Sequence, residues 1–141
     1  MGRIIAVDYG LKRTGIAVSD SASIIAFPLE TVSSKEVIKY LEKYFSKEKV
    51  DCIVVGMPKQ NNGSDSEIVP QVKSFIKELK KKIPGVIVKE EDERFTSVLA
   101  RRALIDSGVK KMQRRNKQLV DVTSAAILLQ GYLEKKLAER K

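Results

Sequence analysis

The 141 residues are enough for one domain, and a hydrophobic share of 43% supports a core and is too high for a disordered chain. With 27 Lys and Arg against 18 Asp and Glu, the net charge of +9 favours polyanionic partners, of which nucleic acid is the commonest. Histidine is absent and cysteine occurs once, at Cys52; this excludes His-dependent nucleophiles, His- or Cys-based zinc sites and an internal disulfide, and leaves carboxylates, lysines, hydroxyls or an oxygen-bound metal for any hydrolytic chemistry.

Residues 3–9 are apolar-rich and alternate, which predicts a strand ending at Asp8. Gly10 and Lys12-Arg13-Thr14-Gly15 read as a turn, Ile16 to Ser19 as a second strand, and Ile24 to Thr31 as a third. The short spacers between them suggest an antiparallel meander. Val37, Ile38, Leu41, Tyr44 and Phe45 recur at helical spacing, with Ser34 as the expected N-cap. Asp51 to Gly56 is a nearly continuous apolar run, the pattern of a strand covered on both faces. A polar loop over 58–66 leads to a second helix through Val69, Val72, Phe75, Ile76 and Leu79, broken by Pro84-Gly85. Val86 to Lys89 reads as a fifth strand running into Glu90-Glu91-Asp92-Glu93-Arg94. A helix from Thr96 or Ser97 to about Ser107, a basic stretch, and a last helix from about Gln118 to Leu137 complete the chain. The order β-β-β-α-β-α-β-α-α predicts one α/β domain over 1–141, with a mixed five-stranded sheet flanked by helices.

No apolar run approaches the roughly 18 residues of a membrane span. The N-terminus, with an acid at position 8, does not read as a signal peptide, and Ala6 breaks the myristoylation pattern. The expectation is a cytoplasmic protein without a membrane partner.

Three acidic positions are candidates for chemistry. Asp8 ends an apolar strand, and Gly10 follows where backbone turns or approaches a ligand closely; the plainer reading is an aspartate closing a turn. Beside it, Lys12 and Arg13 hold a phosphate or are solvated turn residues. The four acids 90–93, which include Asp92 and Glu93, repel one another and gain from a bound cation; otherwise they are a charged loop, with Arg94 as a salt-bridge partner. Asp121 lies among Val120, Val122 and Ala125 to Leu129, where an acid is costly unless it is paired, caps the helix or binds metal; a first-turn acid that complements the helix dipole is the alternative. Jointly the three sites suit a divalent ion, Mg2+ first and Mn2+ as the alternative, held by carboxylates for phosphodiester hydrolysis. Seven basic residues against the single acid Asp106 fill 101–117, among them Lys110, Lys111, Arg114, Arg115 and Lys117, a candidate phosphate-binding segment or a solvated loop.

The segment from Asp8-Tyr9-Gly10 to Val18-Ser19-Asp20 resembles the N-terminal signature of the YqgF/RuvX family. Val54-Val55-Gly56-Met57-Pro58 with Asn62-Gly63-Ser64, Asp92-Glu93-Arg94-Phe95-Thr96-Ser97, and Val120-Asp121 with Ala125-Ala126 and Leu129 to Leu133 resemble its later motifs, in order over nearly the whole chain. The resemblance implies an RNase H-like fold related to the RuvC resolvase, and a metal site formed by Asp8, one of Asp92 and Glu93, and Asp121. Glu93 is the first choice within the pair, because a glutamate commonly serves as the second acid in this superfamily. One departure stands out: RuvC-type enzymes carry that acid after the fourth strand, where this chain has Gly56.

The family is described as Holliday junction resolvase-like and as pre-16S rRNA nucleases. The implied function is therefore a metal-dependent nuclease processing the 5′ end of pre-16S rRNA in ribosome biogenesis. A Holliday junction resolvase acting on branched DNA, or a non-catalytic nucleic-acid-binding module, are the alternatives. An ATP-handling protein of the actin type also opens with an Asp-x-Gly turn, but needs two such domains and so more than 141 residues. Oligomeric state is not legible in the sequence.

Overall fold

The computed structural model describes residues 2–57, 67–92 and 117–139, with the backbone alone for 117–121 and 138. Five strands, β1 (Arg3–Asp8), β2 (Arg13–Ser19), β3 (Ala26–Ser33), β4 (Val50–Met57) and β5 (Val88–Asp92), form one sheet in the order β3-β2-β1-β4-β5. The expected meander is present, since β1 pairs antiparallel with β2 and β2 with β3. β1–β4 and β4–β5 are parallel, each reached through a helical crossover, α1 (Val37–Lys47) and α2 (Val69–Lys82). The last helix, α3 (Lys117–Glu139), covers the opposite face. The sheet is therefore mixed, five-stranded and flanked by helices, as the pattern predicts.

Strand alternation divides the core. Ile5, Val7, Ile53 and Val55 face α1 and α2, against Val37, Leu41, Val72, Phe75 and Leu79. Ile4, Ala6, Cys52 and Val54 face α3, against Ala125, Leu128, Leu129 and Leu133. β1 and β4 are apolar on both faces because both faces are covered.

Four boundaries differ from the sequence expectation, each through a contact distant in the chain or a side-chain bond. β2 starts at Arg13 rather than Ile16, because Gly15 pairs with Asp8 on one side and Thr31 on the other. Ile24 and Ile25 belong to a turn instead of β3: the Asp20 carboxylate accepts both their amides, at 2.7 and 2.9 Å. Those bonds, from Ile25 and then Ile24, hold the Asp20 carboxyl below its ordinary pKa. β5 spans Val88–Asp92 rather than 86–89, because Gly56 and Met57 of β4 pair with Glu91 and Asp92 and draw the acids into the ladder. Ser34 is not the cap of α1, whose N-cap is Glu36 without a side-chain bond; the Ser34 hydroxyl is used elsewhere, as described below. The helix expected over 96–107 and the polar loop of 58–66 lie outside the described residues.

α3 packs chiefly on β2 and β3. Gln130 docks it: its Oε1 accepts the Ala26 amide at 3.0 Å and its Nε2 donates to the Ile24 carbonyl at 3.5 Å. No helix among the described residues is long and apolar enough to cross a membrane. Leu129 is fully buried in the α3 cluster. Leu129→Ala is therefore expected to lower the unfolding free energy by about 2–5 kcal/mol, measured by urea denaturation with an unchanged m-value.

Candidate active site

β1 is buried from Ile4 to Val7, and at its C-terminal end Asp8 meets solvent again, half-buried. Alternation carries Asp8 onto the α3 side with Ile4 and Ala6. Its β2 partner is Gly15, and on β4 the residue one step beyond the Val7↔Val55 pair is Gly56. A glycine stands on each side, so neither neighbouring strand places a side chain beside the carboxylate.

Gly56 pairs with Glu91 of β5, so Glu91 shares the row and face of Asp8. Two strand spacings put their backbones roughly 10 Å apart. Glu91 is engaged by Lys135 of α3, Nζ to Oε1 3.3 Å. Asp92 pairs with Met57, which belongs to the core under α1 and α2, so Asp92 points away from the Asp8 face and is exposed. The sequence reading did not single out Glu91 within the acidic run; the signal was strand parity, which needs the register with β4.

The loop after Asp8 is braced from β3. The Ser34 amide donates to the Lys12 carbonyl at 3.0 Å, and the Ser34 hydroxyl donates to the Gly10 carbonyl at 2.5 Å and lies 2.8 Å from the buried Thr14 hydroxyl. Gly10 itself approaches Arg13 so closely that a Cβ would collide with the Arg13 carbonyl. Lys12 is exposed and Arg13 half-buried on this loop.

In α3 the buried stripe is Ser124, Ala125, Leu128, Leu129 and Leu133. Backbone position 121 precedes Ser124 by three residues and Ala125 by four, in line with that sheet-facing stripe. Ser124 is 1% exposed and its buried hydroxyl has no hydrogen-bond partner among the described residues, a feature with no signal in the sequence. The side chains of Lys117 and Asp121, and Glu93, Arg94, Lys110, Lys111, Arg114 and Arg115 altogether, lie outside the described residues. Among the described residues no three acidic side chains gather at one point.

Over residues 2–135 the chain matches the family model RuvX, described as Holliday junction resolvase. It is 54% identical over 136 residues to a candidate pre-16S rRNA nuclease of Parabacteroides distasonis, covering 96% of this chain and 97% of that one. A relative of the same description from Flavobacterium psychrophilum is 48% identical over 137 residues, covering 97% and 100%. Among solved structures, RuvC of Thermus thermophilus in complex with Holliday junction substrate superposes with a TM-score of 0.57 at 15% identity, covering 97% of this chain and 96% of that one. A second Thermus thermophilus RuvC structure gives 0.53 at 13% identity, covering 96% of each chain. These likenesses establish the fold as the RuvC type, RNase H-like.

The collision at Gly10 predicts that Gly10→Ala destabilises the protein by about 1–3 kcal/mol, because the contact is with backbone that cannot swing away. The neighbouring Leu11 is 66% exposed, so Leu11→Ala should stay within about 0.5 kcal/mol of the parent. Urea midpoints of the two variants, measured side by side, check this.

Proposed function

Because the chain belongs to the RuvX family, we propose that it is a metal-dependent nuclease of structured nucleic acid, and that its substrate is pre-16S rRNA, cut at the 5′ end during ribosome biogenesis. The observation that carries the nuclease reading is Asp8: a carboxylate at the end of the central strand, at the rim of the core, flanked by two glycines. The rRNA substrate rests on relatives about half identical over nearly their full length and described as candidate pre-16S rRNA nucleases. Resolution of branched DNA is the second reading, favoured by the family description and by the fold shared with a junction-bound RuvC.

The proposed metal ligands are Asp8, Glu93 and Asp121. The donor set fits Mg2+ or Mn2+, since without histidine and with its one cysteine buried the chain offers only oxygen ligands here. When bound, such an ion lowers the pKa of water and stabilises charge on the phosphate. Two observations support this set over its alternatives. Asp92 lies on the face away from Asp8, which counts against it within the acidic pair. The nine residues from 121 to Gln130 span about 13.5 Å of helix, and Ile4 to Asp8 span about 13 Å of strand. Gln130 is docked at Ala26, opposite Ser19, whose hydroxyl accepts the Ile4 amide. The proposed set requires α3 to run back along β1 from that point, so that position 121 comes toward Asp8. Around this centre, Lys12, Arg13, Arg94, Lys110, Lys111, Arg114, Arg115 and Lys117 would hold backbone phosphates and so position the strand without reading its sequence.

One preparation, given a precursor rRNA fragment and a four-way DNA junction with and without Mg2+, separates the substrate readings: Mg2+-dependent cleavage of the rRNA and not the junction is expected. Asp8→Asn and Asp121→Asn should each reduce cleavage to background with the circular dichroism spectrum retained, because asparagine keeps the shape and loses the charge that holds the ion. Near-normal turnover by either folded variant rules out the metal assignment.

Because Asp92 faces away from Asp8, the two members of the acidic pair should behave differently. Glu93→Gln should lose cleavage and Mg2+ dependence, whereas Asp92→Asn should keep both. Single-turnover rates at saturating Mg2+ decide, and the reverse pattern excludes Glu93.

A further inference from the structure

The solvent face of α2 is strongly basic. The helix carries Lys73, Lys77, Lys80, Lys81 and Lys82 against one acid, Glu78, and all of these are exposed. At 100° per residue, Lys73, Lys77, Lys80 and Lys81 fall within an arc of about 100° that flanks the buried stripe of Val69, Val72, Ile76 and Leu79, with Lys80 next to Val69. Lys73 and Lys77, and Lys77 and Lys81, are like charges four residues apart, an arrangement that weakens a helix. Among the described residues no ion pair holds any of the four. Solubility alone is better served by mixed signs, so the counter-charge is expected from outside the chain.

Topology sets where this row lies. α2 leaves the end of β4 and returns to the start of the parallel β5, so it runs against both strands and starts at the sheet end that carries Asp8. Between α1 and α2 at that end a cleft of about 410 Å³ opens, lined by Tyr9, Ser34, Lys35 and Ser74 among others. Tyr9, stacked on Phe75 with centroids 4.8 Å apart, directly follows Asp8. The row thus begins at the sheet end that carries Asp8, on the other face of the sheet, and leads away from that end. Lys73 to Lys81 covers about 12 Å of helix axis, and a duplex presents roughly seven charges over that length.

We propose that this face of α2 is a second phosphate-binding surface, which holds a duplex arm of the substrate while the strand to be cut lies at the Asp8 end. The inference rests on the nuclease reading and extends it to a substrate with an arm long enough to reach α2. Lysines are point charges on flexible stems, suited to backbone phosphates and not to bidentate base contacts, so the surface contributes affinity and orientation without sequence preference.

The test compares the parent with Lys73→Gln/Lys77→Gln/Lys81→Gln, using a labelled long-stem hairpin RNA and the same hairpin with its stem shortened. Binding is titrated at several salt concentrations in chelator, so that no cleavage occurs. On the long stem the triple variant should bind more weakly, with the slope of log affinity against log salt flatter by about 2–3, the sum of three lost contacts. The short stem should bind both proteins equally, and a Lys→Arg version of the triple should restore the long-stem slope. Equal affinity and slope on the long stem, as for a face that docks a protein instead, overturns the proposal; so does an equal loss on both stems. If the parent binds neither probe, the nuclease reading itself fails, an outcome distinct from the other two.

Discussion

The burial of β1 on both faces is the constraint on which the rest of the molecule depends. Ile4, Ile5, Ala6 and Val7 are each 0% exposed. A strand with no solvent face needs a partner on each edge and a helical layer above and below, and β2, β4, the α1–α2 pair and α3 supply them. It also confines charge to the ends, because an unpaired carboxylate inside either cluster would cost several kcal/mol or be protonated. Asp8 sits at the first position where the strand leaves the core, and is held there by the same packing that excludes water from its predecessors.

Rigidity at that point comes from polar contacts rather than from packing. The chain turns immediately after Asp8, and Ser34 ties the turn through the Gly10 and Lys12 carbonyls and the Thr14 hydroxyl. Ser34 lies at the end of the meander, so the third strand fixes the loop that follows the first. A second tie joins the meander to the helical layer: Tyr40 of α1 hydrogen-bonds Glu30 of β3, and burial first, then that carboxylate, raises its hydroxyl to about 12. The phenol stays a neutral donor through the physiological range.

The two faces differ in charge as well as in content. On the α3 side lie Asp8, Glu91 and backbone position 121. The exposed side of α2 carries five lysines against one glutamate, Glu78. The acids of the α3 side and the lysines of α2 are kept on opposite sides of the sheet, and Glu91 takes its cation from α3 itself, Lys135. The sheet provides this separation: it is a wall between the faces, and its C-terminal rim is where they meet.

The sequence by itself determined what depends on local periodicity and composition. The alternation of β1, the continuous apolar run of β4, the helical spacing of α1 and α2, and the restriction to oxygen ligands that follows from lacking histidine are all properties of short segments or of the chain as a whole. Asp8 was legible for the same reason, as the first charge after an apolar strand. Other features were decided only by tertiary structure. The pairing of Gly56 with Glu91 and of Met57 with Asp92 lengthened β5 and gave each acid its face. The Gly10 and Thr14 contacts drew Ser34 away from capping α1. The Gln130 contacts set where α3 docks on the sheet. The physical reason is common to all three: a hydrogen bond between segments far apart in the chain fixes register, and a shift of one residue in register turns every side chain of a strand to the other face. Nothing in the acidic run of four says which members share a face with Asp8; β4 decides it.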